Sequence, residues 1–339
     1  MDKDLKNKTF EELERLVVEL GGKKYLAKYA FSFIHAKDAV SIEDVTPLPK
    51  ELRQNLSKDG YYISRLKLLD RLIDPDGTEK FLFELADGAR IESVLMTSGR
   101  RKTLCISPQA GCRMGCEFCA TGKLKLDRNL TAGEIADQLN QAARECGKIN
   151  NVVYMGMGEP MDNYDEVMRS VHIINHHAGK YIGQRHITIS TCGIPQGIVR
   201  FAEEKLQVHL SISLHSTNDA VREKIMRIAK KYPIDSLIKA VHAYQKKTGR
   251  RVMIVYCMIK GINDSDADAR SLAGLLKKMN VNVNLIEYNP HTGCNFEASS
   301  RNRIQGFLDI LMQSGIETTV RYKRGRKIKA ACGQLAAGR

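Results

Sequence analysis

Apolar positions recur along the chain in three rhythms, and the changes between them divide it. Over the first 75 residues they fall at helical spacing in FEELERLVVELG, KKYLAKYAFSFIH and LPKELRQNLSK, with Gly21-Gly22 and Pro47 to Pro49 as breakers. This predicts a small helical module over residues 1–75. The next stretch, TEKFLFELADGARIESVLM, holds two runs rich in Phe, Leu, Ile and Val around Asp87-Gly88. That pattern predicts a β-hairpin, which would connect the module to the rest over 76–102. From about residue 103, short apolar runs alternate with helix-length amphipathic segments. The runs TLCIS, NVVYMGM, HITIST, VHLSISL, RVMIVYCMI and NVNLIEY read as strands. Thr131 and Glu134 form a capping box ahead of Ile135, Leu139 and Ala142, and later helices begin near Tyr164, Pro195, Pro233, Ser265 and Arg301. Six strand-helix repeats over 103–339 imply an α/β protein with a parallel sheet. No Rossmann fingerprint follows the first strand, so a curved, partial (β/α)6 TIM-like barrel is expected, with its active residues at the strand carboxyl ends.

Composition narrows the class. The 339 residues are 43% hydrophobic and 27% charged, which suits a folded protein and excludes disorder or a fibrous repeat. Lysine and arginine outnumber aspartate and glutamate by 53 to 39, and a net charge of +14 points towards a polyanionic partner. No apolar stretch of bilayer length is present and the start, MDKDLKNKTFEELERL, is charged, so a cytoplasmic protein without membrane attachment is expected. Nine cysteines in such a chain point to metal binding or redox chemistry rather than a disulfide framework.

Their spacing carries the sharpest signal. Cys112-Arg-Met-Gly-Cys116-Glu-Phe-Cys119 follows the first strand of the repeat. Three thiolates in a short loop can hold three irons of a 4Fe-4S cube, leaving the fourth iron open for a ligand. A structural zinc site with a histidine as fourth ligand is the alternative. The segment Met155-Gly-Met-Gly-Glu-Pro160 ends the second strand, and a glycine-rich turn with one carboxylate suits close approach to an ammonium group. Steric demands of the turn would also account for its glycines.

The cysteine spacing, with an aromatic before the last cysteine, resembles the cluster motif of the radical S-adenosylmethionine (radical SAM) superfamily. Four further places sharpen the likeness: Cys105, seven residues before the cluster motif; Ser213-Leu214-His215; Tyr288-Asn289-Pro290; and Ala330-Ala-Cys332-Gly-Gln-Leu335. Together these resemble the RNA adenine methyltransferases of the RlmN/Cfr family over nearly the whole chain. The resemblance implies that Cys112, Cys116 and Cys119 hold one 4Fe-4S cluster and that Gly158, Glu159, Ser190, Ser213, Leu214, His215 and Asn289 bind S-adenosylmethionine. Two S-adenosylmethionine molecules are implied per turnover, one methylating Cys332 and one cleaved to a 5'-deoxyadenosyl radical. The radical takes hydrogen from the Cys332 methyl group, and the carbon radical adds to adenine. Cys105 then resolves the adduct, leaving a Cys105–Cys332 disulfide to be reduced, and Glu92 matches the proton acceptor. Cys146, Cys192, Cys257 and Cys294 match no catalytic position and read as small buried hydrophobes.

Arg321-Tyr-Lys-Arg-Gly-Arg-Lys-Ile-Lys329 carries six basic residues just before Cys332, and Arg100-Arg101-Lys102 precedes Cys105. Cationic runs beside both thiols suit a nucleobase whose phosphates are held nearby, although such runs are also ordinary solvated faces. The implied substrates are 23S rRNA, tRNA or both, the implied reaction C2 methylation of adenosine, and the implied electron donor a flavodoxin or ferredoxin, with the enzyme a monomer. Two competing readings are C8 methylation of rRNA adenosine, as in the antibiotic-resistance branch, and an iron-sulfur RNA-binding protein without turnover. Pro160 is typical of the C2 branch.

Overall fold

The computed structural model describes residues 2–321 and 323–337. Three helices open the chain: α1 (Phe10–Glu19), α2 (Leu26–His35) and α3 (Lys50–Lys58). Thr9 and Glu12 close a capping box on α1. Four strands follow, β1 (Lys67–Ile73), β2 (Glu79–Glu84), β3 (Arg90–Ser98) and β4 (Arg101–Cys105), each antiparallel to the one before. A short pair, β5 (Gln109–Ala110) with β6 (Arg128–Asn129), brackets the cysteine loop.

The α/β alternation then runs α4 (Ala132–Cys146), β7 (Asn151–Tyr154), α5 (Tyr164–Asn175), β8 (Ile187–Thr191), α6 (Pro195–Phe201), β9 (His209–Ser213), α7 (Asp219–Ile225), α8 (Ile234–Thr248), β10 (Val252–Met258), α9 (Asp266–Leu276), β11 (Val281–Glu287), α10 (Arg301–Gln313) and β12 (Thr318–Arg321). One ten-stranded sheet results, in the order β1-β2-β3-β4-β7-β8-β9-β10-β11-β12, parallel from β4 onwards. Residues of β3, β4, β7, β8, β10, β11 and β12 line a common cavity, so the sheet curls round it as a partial barrel. The predicted parallel α/β sheet is therefore present.

Three features depart from the sequence reading. The parallel part has seven strands rather than six, because β12 follows α10 as a four-residue edge too short to register as a period. Residues 67–73 form an edge strand, not helix; most of its side chains are partly or fully exposed, which erases the alternation that marks a half-buried strand. The predicted hairpin is thus part of a four-stranded antiparallel extension, and β4 begins at Arg101, so a boundary at 102/103 falls inside a strand.

The helical module is tied to the barrel by charge as well as apolar packing. Lys6 and Asp137 of α4 form a buried ion pair at 2.7 Å, and Asp137 also accepts the Leu66 amide at 2.7 Å. Arg169 of α5 grips Glu12 of α1.

Candidate active site

Cys112, Cys116 and Cys119 sit on the loop between β5 and β6, at the carboxyl end of the barrel. All three line one cavity of about 160 Å³. The loop is stapled from outside: the Glu117 amide donates to the Ile225 carbonyl at 2.9 Å, and Arg113 pairs with Asp162 just after the Gly-Glu-Pro turn. Burial pushes the Cys112 thiol up to about 12 and raises Cys116 and Cys119 as well, so a bound group must offset the cost of three thiolates. Among the described residues no three His, Cys, Asp or Glu side chains are grouped to hold a single metal ion. One thiolate per iron, the requirement of a cluster, fits three thiols lining a shared cavity.

The opposite walls are built from strand ends. Ser190 of β8, Ser213 of β9 and Gly158 and Glu159 after β7 face this cavity, with His215 and Asn289. Gly158 has φ +102°, and a Cβ there would lie 2.5 Å from the Gln109 Cβ, so only glycine fits the turn. The Glu159 carboxylate is 3% exposed and accepts amides from Cys192 at 2.7 Å and Met161 at 3.0 Å. Burial raises its pKa from the ordinary value of 4.5 against those hydrogen bonds, and an incoming ammonium would offset that cost.

His215 takes a left-handed backbone, φ +60°, and its Nδ1 accepts the Cys257 amide at 2.9 Å, which leaves the proton on Nε2. Burial pushes it down to about 3, so it stays neutral. Phe118, the aromatic before Cys119, packs edge-on against this ring at 4.6 Å. Leu214, between Ser213 and His215 in the sequence, is fully buried and does not line the cavity.

A second cavity of about 490 Å³ lies beside the first, within the curl of the sheet. Cys105, at the end of β4, lines it, with apolar Val94, Met96, Val153, Met155 and Val320 and cationic Arg101, Arg321, Lys323 and Arg324. Burial, with a smaller contribution from nearby Cys332, pushes the Cys105 thiol up to about 12. Cys332 is exposed and lines both cavities. Its loop is pinned where the cavities meet: Asn289 Nδ2 donates to the Cys332 carbonyl at 3.0 Å and the Ala120 amide to the Gly333 carbonyl at 2.7 Å. All nine cysteines are free, so the Cys105–Cys332 disulfide implied for the end of a turnover is not formed here. Tyr322 of the basic run lies outside the described residues.

Glu92 stands apart from this group. It is 2% exposed, lines neither cavity, and spends its carboxylate on Lys80 at 3.0 Å and on the amides of Ala336 and Ala337 at 2.7 and 3.0 Å. As arranged here it faces the carboxyl-terminal segment rather than a substrate, so the expected proton-acceptor role is not prepared in this state.

Other residues at the site carried no signal in the sequence. Cys192 and Cys257, expected only as filler, line the first cavity. Arg222 is fully buried and donates to the carbonyls of Leu214, Tyr232 and Cys192, locking the β8 and β9 ends together. In DAVREKI it reads as a solvated helix charge, and only the tertiary structure shows otherwise.

Comparison with known proteins agrees with this geometry. The model of the radical SAM superfamily matches residues 106–273. A crystal structure of a radical SAM methyltransferase from Sphaerobacter thermophilus superposes with a TM-score of 0.93 at 43% identity, covering 99% of this chain and 100% of that one. These define a radical SAM enzyme of the methyltransferase class. A probable dual-specificity RNA methyltransferase RlmN from Thermotoga maritima is 46% identical over 335 residues, 98% of this chain and 97% of that protein. The ribosomal RNA large subunit methyltransferase N of Nitrosopumilus maritimus is 43% identical over 96% of both. The chain belongs to the RlmN family of radical SAM methyltransferases.

Proposed function

We propose that this enzyme methylates C2 of adenosine in RNA, with 23S rRNA and tRNA as substrates and Cys332 as the methyl carrier. The observation that carries this reading is the position of Cys332 as a shared wall of two cavities, one holding the cysteine triad and Glu159, the other holding Cys105 among cations. The names of the relatives favour this chemistry over C8 methylation.

C2 of adenine is electron-poor and has no acidic proton, so polar transfer from a methyl sulfonium is not available to it. A 4Fe-4S cluster on Cys112, Cys116 and Cys119, with S-adenosylmethionine in the same cavity, supplies a 5'-deoxyadenosyl radical when bound. The protein's own contributions follow from its geometry. Glu159 meets the methionine ammonium of S-adenosylmethionine, with Ser190, Ser213, His215 and Asn289 around the remainder. Cys332 takes a methyl group from one S-adenosylmethionine and presents it to the oxidant made from a second. The adenine, unstacked from its RNA, occupies the 490 Å³ cavity, whose apolar wall suits a base and whose Arg321, Lys323 and Arg324 suit its phosphates.

Once carbon is joined to the base by radical addition, one electron and the ring proton must leave the adduct, the electron to the oxidised cluster that Cys112, Cys116 and Cys119 would hold, and the link to Cys332 must break. Cys105 does this by bonding to the Cys332 sulfur: the sulfur–carbon bond breaks, its electron pair goes to the carbon that becomes the methyl group, and that carbon takes a proton. The disulfide so formed needs an external dithiol, and the cluster needs an electron donor of the flavodoxin or ferredoxin kind. Glu92 becomes a proton acceptor only if its hold on Ala336 and Ala337 is released. We assign residues 1–75 an accessory RNA-binding role and place the enzyme in the cytoplasm as a monomer; no helix among the described residues is long and apolar enough to cross a membrane.

Nucleoside mass spectrometry of 23S rRNA and tRNA from cells with and without the gene tests this. Loss of 2-methyladenosine on deletion is expected. Loss of 8-methyladenosine would establish the other branch, and no change in either would favour an RNA-binding protein without turnover.

A further inference from the structure

The segment that carries Cys332 has no regular structure of its own. After β12 the described residues 323–337 form only turns and bends, yet their backbone is held at both ends by carboxylates of the antiparallel extension. At one end the Gly325 amide donates to Asp76 Oδ2 at 2.9 Å and the Lys327 amide to Asp74 Oδ2 at 2.8 Å. At the other, Ala336 and Ala337 donate to Glu92 Oε2. Each carboxylate divides its oxygens in the same way. Asp74 Oδ1 accepts the Asp76 amide and Asp76 Oδ1 accepts the Thr78 amide, which builds the β1–β2 turn, while Glu92 Oε1 meets Lys80.

The contact is also close in shape. Gly325 has φ +64°, and a Cβ there would lie 2.9 Å from Thr78 Cγ2 and 2.7 Å from the Ala330 Cβ. Between the two anchors lies Cys332. Because the anchors grip backbone, the side chains of Arg326, Lys327 and Lys329 stay exposed on the outer side.

We propose that Asp74, Asp76 and Glu92 are positioning residues, which hold the strap of residues 323–337 by its backbone and so place the Cys332 sulfur between the two cavities. This rests on the reading of Cys332 as methyl carrier. The antiparallel strands β1 to β3 are thereby assigned a purpose beyond joining the helical module to the barrel. Carboxylates are required because each must accept on both oxygens. An amide of the same shape offers one acceptor and sets an NH2 group against a backbone N–H.

The test uses the full-length holoprotein carrying Asp74→Asn with Asp76→Asn and, separately, Glu92→Gln. Hydrogen–deuterium exchange of peptides spanning 323–337 and of the β7 to β11 strands is measured, with Cys332 methyl occupancy by peptide mass spectrometry and S-adenosylmethionine affinity by equilibrium binding. All are read without RNA, so a proton-transfer role of Glu92 on the substrate does not move them. Exchange in the strap should quicken at least tenfold and methyl occupancy fall severalfold. Strand exchange should match the parent's, and S-adenosylmethionine affinity should stay within twofold. Unchanged strap exchange overturns the anchoring, and fast strap exchange with parental methyl occupancy overturns the positioning role. A parent protein with no methyl on Cys332 overturns the carrier reading and the positioning role with it, while exchange still decides the anchoring.

Discussion

Glu159 and the cysteines at 112, 116 and 119 are ionisable groups that the fold keeps in apolar surroundings, and each should betray this when its partner is absent. The Glu159 pKa is raised, so the folded ligand-free protein holds a proton there more tightly than the unfolded chain does. Its contribution to stability is therefore largest at acid pH and declines as pH rises from about 4.5 through the folded value. Glu159→Gln should accordingly leave ligand-free thermal stability at pH 7 equal or higher, while weakening S-adenosylmethionine binding at least tenfold, about 1.4 kcal/mol or more, through loss of a buried charge partner. Calorimetric scans from pH 4 to pH 8, with and without S-adenosylmethionine, check both signs. Iron analysis after anaerobic purification makes a parallel test: Cys112→Ala, Cys116→Ala and Cys119→Ala should lose the cluster, and Cys146→Ala should keep it. The thiol spacing and the Gly-Glu turn are local patterns that the sequence shows, and the fold brings both to one cavity. The contacts that Glu92 makes were not legible there, since its partners are amides some 245 residues further along the chain.

At the scale of elements, the β/α alternation and the Thr131–Glu134 capping box could be read because one face of each element is buried, and burial leaves a period. β1 and β12 lie at the two edges of the sheet and leave none. The docking of the helical module on α4 depends on a similarly hidden pair. Lys6→Met would strand Asp137 as a buried carboxylate and should cost about 3–5 kcal/mol by denaturant titration, with Lys6→Met, Asp137→Leu together costing less than the single change. The strap makes a separate prediction through its cations. If Arg324, Arg326 and Lys327 meet phosphates, neutralising all three should lower the salt slope of RNA affinity by about two to three units, whereas a solvated face would leave the slope unchanged.

The whole molecule arranges these parts around a lumen with distinct ends. Its carboxyl end holds the site, while the amino-terminal end opens into a cavity of about 330 Å³ lined by Asn151, Arg185 and His209 together with Val153, Leu210 and Met253, open where a closed barrel would be packed. The net charge of +14 announced a polyanionic partner, and the comparisons place the chain among enzymes named for RNA. The resemblance implied that Cys105 and Cys332 meet, but neither charge nor family disclosed that Cys332 would also line the cavity of the cysteine triad; that depends on a strap running from β12 at one edge of the sheet to the antiparallel extension at the other. The central claim is that carbon passes from Cys332 to RNA and is released by Cys105. The direct measurement is the mass of Cys105→Ala protein purified from cells, before and after nuclease, beside the Cys105→Ala, Cys332→Ala double variant. Methylation of Cys332 and transfer to adenine need no thiol at position 105, so the single variant should accumulate covalently joined to RNA through Cys332, as a nuclease-sensitive mass, and the double variant should not. A Cys105→Ala protein that carries no RNA and still yields 2-methyladenosine would contradict the account.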